Sequence, residues 1–351
     1  VIRDAVEVAH RAASRIDAKD LLLEDQLPPE LNVLPGSVSL SPACDQAPDL
    51  GPTLAGNGVS ASWDTLPLGA SCTVLFEAVV DVSAVTGEVF RNRATAAWSS
   101  LDTQGDPDER SYSVEDQWDL TISEPGLAKA ITDTSVPETA FQPGDPSTEL
   151  TIGEEVTFTI TALFPDGTST NVMVEEQLPA ADVRLRFLDT RIVAVGADLA
   201  LDSGVGVGDP AVPCVPASGS CRRWLLGSVV NQPDARPGPE ADPADSVVFE
   251  VTAIVEDDLL NSGAPGEDKN LANSARLTTD SSNFLASARF DLVEPELVLQ
   301  KLTESGQQPG EVSAGGEHRF VLELAHGPQS TATALDLEVD DDHRIEFLGR
   351  P

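Results

Sequence analysis

The chain has 351 residues, a formal net charge of −38 and a pI near 4.1, which excludes a nucleic-acid partner because phosphate would be repelled. Forty per cent hydrophobic residues are enough for packed cores, so this is not a disordered acidic tail. No run is long and apolar enough to cross a bilayer, and the charge itself suits either solubility in a salty medium or binding of divalent cations.

In chain order, the first repeat unit is expected over 1–122. Val6 and Val8 alternate with polar neighbours, and Leu21, Leu23 and Asp25 share the parity of a second strand. A turn-rich stretch holding Cys44 leads to the β-forming run CTVLFEAVV from Cys72. Phe90, Asn92, Ala94, Ala96 and Trp98 then recur at period two, and a last strand is expected near 112–122.

The second unit is expected over 123–293, opened by Glu124-Pro125, and the third over 294–351, opened by Glu294-Pro295. Proline restricts the residue before it and stiffens such a junction. Val156, Phe158 and Ile160 share one face, and so do Val172, Val174 and Glu176 in the segment VMVEEQLP. A carboxylate on the apolar side of a strand is costly without a partner. The same device recurs as LLLEDQLP at 21–28 and LDLEVDD at 335–341, and residues 6–25 match 322–341 without gaps at eight places, among them His10/His326, Ser14/Ser330 and Asp25/Asp341. The Gly- and Pro-rich stretch at about 190–245 reads as an insertion carrying Cys214 and Cys221. Phe249 and Val251 form the counterpart of the Phe76 strand, and Leu271, Asn273, Ala275 and Leu277 the counterpart of the Asn92 strand.

The whole therefore reads as all-β, a tandem array of β-sandwiches, with the first unit lacking an initial strand and the third unit cut short. Four cysteines, two per long unit, fit disulfides Cys44–Cys72 and Cys214–Cys221 in an oxidising compartment; a zinc site is the rival reading, without paired CxxC spacing to support it. Sequence signatures of nucleophilic, phosphate-binding and zinc-protease enzymes are missing, so no turnover activity is expected. Of cofactors, only calcium is suggested, by the loop residues Asp102, Asp106, Asp108 and Glu109 or by Asp340, Asp341 and Asp342, against the plainer reading of solvated acidic loops.

Taken together, VTFTITALFPDGTSTNVMVEEQLP, WLLGSVV, FEVTAIVED and NLANSARL resemble, in that order, the conserved repeat domain of bacterial and archaeal surface proteins, the isopeptide-forming fimbrial or adhesin repeat. The resemblance spans nearly the whole chain, with Glu176 standing where Asp is usual. It implies immunoglobulin-like β-sandwiches in an exported, extracellular or cell-surface protein, with stalk or adhesion roles. Partners would then be further repeats of the parent chain and a host or surface glycan or protein. A ligand-binding adhesin module acting through its loop insertions is the alternative function.

The lysines sharpen that reading. The chain holds only Lys19, Lys129, Lys269 and Lys301, and two of these, Lys129 and Lys301, follow the Glu-Pro junctions on the parity of leucines. Lysine on an apolar parity asks for a partner. In the resembled domains a first-strand Lys joins a last-strand Asn with an acid assisting, which would assign Lys129 and Asn273 as bond partners and Glu176 as the assisting acid. Asp25 and Asn92 would be incomplete equivalents in the first unit, and Lys301 and Asp341 in the third. An ion pair between Lys129 and Glu176, with Asn273 bonding backbone, is the plainer alternative.

Overall fold

A computed structural model describes residues 2–101, 108–136, 148–179, 184–215, 219–233, 242–258, 261, 269–303, 319–328, 330, 334 and 337–340. These residues are all-β apart from one 3₁₀ turn at Pro243–Asp245. Nine strands come first: β1 (Ile2–Ala9), β2 (Ala18–Gln26), β3 (Leu31–Val33), β4 (Ser39–Leu40), β5 (Leu50–Ala55), β6 (Gly58–Leu66), β7 (Ser71–Val80), β8 (Val89–Ser99) and β9 (Ser111–Thr121). They form two sheets, β1-β7-β3 with β4 also on β7, and β5-β6-β2-β8-β9. Eleven follow: β10 (Gly126–Thr134), β11 (Glu149–Leu150), β12 (Glu155–Leu163), β13 (Gly167–Gln177), β14 (Leu185–Val195), β15 (Leu199–Leu201), β16 (Val212–Pro213), β17 (Cys221–Asn231), β18 (Ser246–Val255), β19 (Lys269–Thr278) and β20 (Asn283–Leu292). Their sheets are β10-β12-β18-β14 and β11-β20-β19-β13-β17-β15, with β16 on β17. A two-stranded ribbon, β21 (Leu297–Thr303) with β22 (Phe320–His326), comes last.

Strand alternation builds the cores. In the second sandwich Val156, Phe158, Ile160, Val172, Val174, Phe249, Val251, Asn273 and Ala275 are all buried, as their shared parities require. In the first, β2 buries Leu21, Leu23 and Asp25, and β7 buries Cys72, Val74, Phe76 and Ala78. The two sandwiches repeat one register. Asp25 lies opposite Ala94 as Glu176 lies opposite Ala275, and Phe76 faces β1 as Phe249 faces β12.

The stretch at 190–245, expected as an insertion, needs correction. It contains the end of β14 and the whole of β17, whose Trp224, Leu226 and Val229 are core residues. The alternation that would have revealed β17 is broken at Gly227, where φ is +71° and the register with β13 shifts. Buried positions change from even, at 224 and 226, to odd, at 229 and 231. A side chain at position 227 would collide with the Asp202 carboxylate, which accepts a hydrogen bond from Ser228 N at 2.7 Å.

Between the two sandwiches the chain makes a seam. Thr168 N donates to Ala84 O at 2.7 Å, Thr86 N donates to Thr168 O at 3.1 Å, and the Thr168 hydroxyl donates to Val82 O at 2.6 Å. The Thr86 and Ser169 hydroxyls, both buried, lie 3.3 Å apart. Ala84, Phe90 and Ile122 form a small apolar cluster beside it.

Candidate functional site

The chemistry gathers where the first strand of the second sandwich crosses between its sheets. β10 pairs with β12, placing Lys129 opposite Ile160, and it also packs on β19 and β20. Leu127 and Ile131 pack against the core on either side of Lys129, so strand alternation carries the lysine inward. Glu176 is placed by β13, on the parity of Val172 and Val174, and Asn273 by β19, two residues before the alanine opposite Glu176. Three residues distant in sequence thus meet.

Glu176 holds the other two. Lys129 Nζ donates to its Oε1 at 2.6 Å and Oε2 at 2.5 Å, and Asn273 Nδ2 donates to Oε1 at 2.7 Å. The lysine and glutamate side chains are 0% exposed, and Asn273 is also fully buried. The ring of Phe158 lies 4.9 Å from Nζ. Asn273 Oδ1 is buried and accepts no hydrogen bond from the described residues, leaving that carbonyl open to a proton donor.

Burial sets the protonation. Desolvation lowers the Lys129 pKa to about 8, against the pull of Glu176, which raises it. Desolvation likewise raises the pKa of Glu176, opposed by Lys129 and by the Asn273 hydrogen bond. The two shifts bring the proton affinities of amine and carboxylate closer together, which eases transfer of a proton from Nζ to the carboxylate.

The incomplete equivalents differ in their surroundings. In the first sandwich Asn92 Nδ2 donates to Asp25 Oδ2 at 3.3 Å and to Asp4 Oδ2 at 3.0 Å. Asp4 was not anticipated, although it lies on the inward parity of Ile2, Val6 and Val8. Burial, then the neighbouring Asp4 charge, raise the Asp25 pKa to about 6, with the Asn92 hydrogen bond pulling the other way. Lys301, opposite Leu322 on β21, has its Nζ 5.1 Å from the Phe320 ring, repeating the Lys129–Phe158 relation on an exposed ribbon. Its expected partner Asp341 lies outside the described residues.

Cys44 and Cys72 are disulfide-bonded, as are Cys214 and Cys221, and each bridge stays within one sandwich. Of the calcium candidates, Asp108, Glu109 and Asp340 are described, while Asp102, Asp106, Asp341 and Asp342 lie outside the described residues. Glu175 with Cys214 and Cys221 is the one cluster of metal-ligand type among the described residues, and its sulfurs are already bonded to each other. No helix among the described residues is long and apolar enough to cross a membrane.

Neither a known family nor a curated protein matches the sequence. Solved structures give shallow overlays. The major pilin subunit BcpA of Bacillus cereus shares 10% identity over 94% of this chain and 86% of its own, with a TM-score of 0.28. The major pilin SpaD of Corynebacterium diphtheriae shares 14% over 90% and 75%, with a TM-score of 0.28. The T6 backbone pilin of Streptococcus pyogenes shares 8% over 94% and 73%, with a TM-score of 0.30. Overlays this shallow carry no argument, so fold and chemistry rest on the chain's own strands and side chains.

Proposed function

We propose that the chain is a structural or adhesive stalk segment of an exported cell-surface protein, strengthened by an amide bond that Lys129 and Asn273 form with each other. The division into units at 1–122, 123–293 and 294–351 belongs to this reading, each long unit with its own buried core. The supporting observation is the convergence of a fully buried lysine and a buried asparagine on one carboxyl group.

The step balances without a cofactor. Lys129, having lost its proton to Glu176, attacks Asn273 Cγ through Nζ, forming the new C–N bond. Glu176 gives its proton to Nδ2, the Cγ–Nδ2 bond breaks, and ammonia leaves. The carboxylate regains a proton from Nζ as the amide forms. The reaction happens once per molecule, so nothing turns over. Its product ties β10 to β19, and a pull on the chain ends would then load a covalent bond as well as the β10–β12 ladder.

Intact mass of the folded chain tests this. The expected wild type is lighter than its formula by one ammonia, beyond the four hydrogens lost to two disulfides. Glu176→Ala should restore the ammonia. Full mass in the folded wild type would leave an ion pair and overturn the bond.

A further inference from the structure

One cation of the second sandwich lies beside Glu176 in the sheet and yet does not pair with it. β13 and β17 set Glu176 opposite Arg222 and Val174 opposite Trp224, so Arg222 shares the inward parity of Trp224 and Leu226. Directly opposed side chains on one face start about 5 Å apart at Cβ, within easy reach of an arginine. Arg222 nevertheless makes no ion pair among the described residues, in a chain of net charge −38. In the first sandwich the residue at this register, opposite Asp25, is Val59.

Other groups hold the guanidinium. Its carbon lies 4.8 Å from the centre of the Phe187 ring on β14, and Nη1 donates to Cys221 O at 2.9 Å. Cys221 is tied to Cys214 by the disulfide, and β16, directly before Cys214, pairs Pro213 with Arg222. Bridge, ring and carbonyl thus anchor the start of β17. Glu176 keeps room for another donor, since Oε2 accepts from Lys129 alone among the described residues. A guanidinium keeps its charge at every relevant pH, so at Glu176 it would compete with the proton passed on by Lys129. An adjacent opposite charge lowers the proton affinity of a carboxylate by on the order of ten-fold or more.

We propose that the Cys214–Cys221 bridge gates the Lys129–Asn273 amide bond by holding Arg222 away from Glu176. The gate rests on the amide reading of that site and adds its control. With the thiols reduced, β16 and the start of β17 are released, Arg222 turns onto the Glu176 carboxylate, and proton transfer from Nζ slows. As the bridge forms, the two thiols give two electrons and two protons to a disulfide donor such as oxidised glutathione, which leaves as two thiols. Arg222 is then a positioning residue, acting through Glu176 without touching the reacting atoms. An exported chain would stay unlocked until it reaches a compartment that oxidises thiols.

The test follows the freshly translated full chain in a cell-free system with oxidised glutathione, reading loss of ammonia over time by intact mass. Cys214→Ser with Cys221→Ser should slow that loss by on the order of ten-fold or more. Cys44→Ser with Cys72→Ser should leave the rate near wild type. Adding Arg222→Met to the Cys214→Ser, Cys221→Ser chain should restore the rate, because methionine still packs on Phe187 but carries no charge. Phe187→Leu should slow the loss with the bridge intact, and Arg222→Met should again restore it. Equal rates with and without the Cys214–Cys221 bridge would overturn the gate and leave the amide bond standing. Slowing that Arg222→Met does not relieve would also overturn it, since the bridge would then act on folding alone. A wild type that never loses ammonia would overturn the amide bond itself, and the gate with it.

Discussion

Two carboxylates end equivalent strands in this molecule, and their neighbours set them apart. Glu176 sits fully buried between an amine and an amide, whereas Asp25 sits between an amide and a second carboxylate. Strand, register and asparagine are the same. Among the described residues the difference is β10, which brings the Lys129 amine to Glu176 and packs over β20 beside it.

The largest test of that contrast removes the acids. Glu176→Ala leaves the Lys129 amine buried without its partner and, on the proposed function, unable to form its amide bond, and should cost the second sandwich about 3–5 kcal/mol in denaturant unfolding. The double change Lys129→Met with Glu176→Leu should recover the part of the loss that comes from the unpaired buried amine, since an apolar pair of similar volume needs no partner, and leave the part that comes from the missing amide bond. A single-variant loss below 1 kcal/mol would show that the pair does not support the core.

Disulfides give the next effect. The Cys44–Cys72 bridge closes a sequence separation of 28 residues and Cys214–Cys221 one of 7. In the chain-entropy account, removing the first with paired Cys→Ala changes should cost about 3–4 kcal/mol and the second about 2–3 kcal/mol. Equal losses in chemical unfolding would contradict an entropic origin.

Smallest is the pH response of the first sandwich. Its Asp25 holds a proton up to about pH 6, where the unfolded chain has already lost it near the ordinary aspartate value of 3.8. Stability from this group is therefore full below that lower value, falls as pH rises between the two, and stays reduced above. Asp25→Asn should abolish this slope and raise stability at pH 7 by about 1–2 kcal/mol, discounted for solvent screening. A stability gain at pH 7 no larger than at pH 3 would exclude Asp25 as its source.

Much of this was legible in the sequence because period two is a rigid rule. Val172, Val174 and Glu176 point one way whatever the fold around them, and so do Leu127, Lys129 and Ile131. Where the rule breaks, the reading broke with it. A left-handed glycine in β17 reversed the parity of Val229 and hid a core strand inside an apparent insertion. Asp4 was hidden for another reason. Its parity was readable, but an acid among valines acquires meaning only once Asn92 and Asp25 are seen beside it.

Gly167 carries a consequence for the tandem arrangement. Its φ is +108°, and a Cβ there would come within 2.6 Å of Ala84 O, a carbonyl of the preceding sandwich. A residue of one unit is thus constrained by the backbone of another. The units are therefore not interchangeable beads. Shuffling them, by recombination or by design, succeeds only if the loop at 82–86 and the turn at 166–169 travel together as a matched joint.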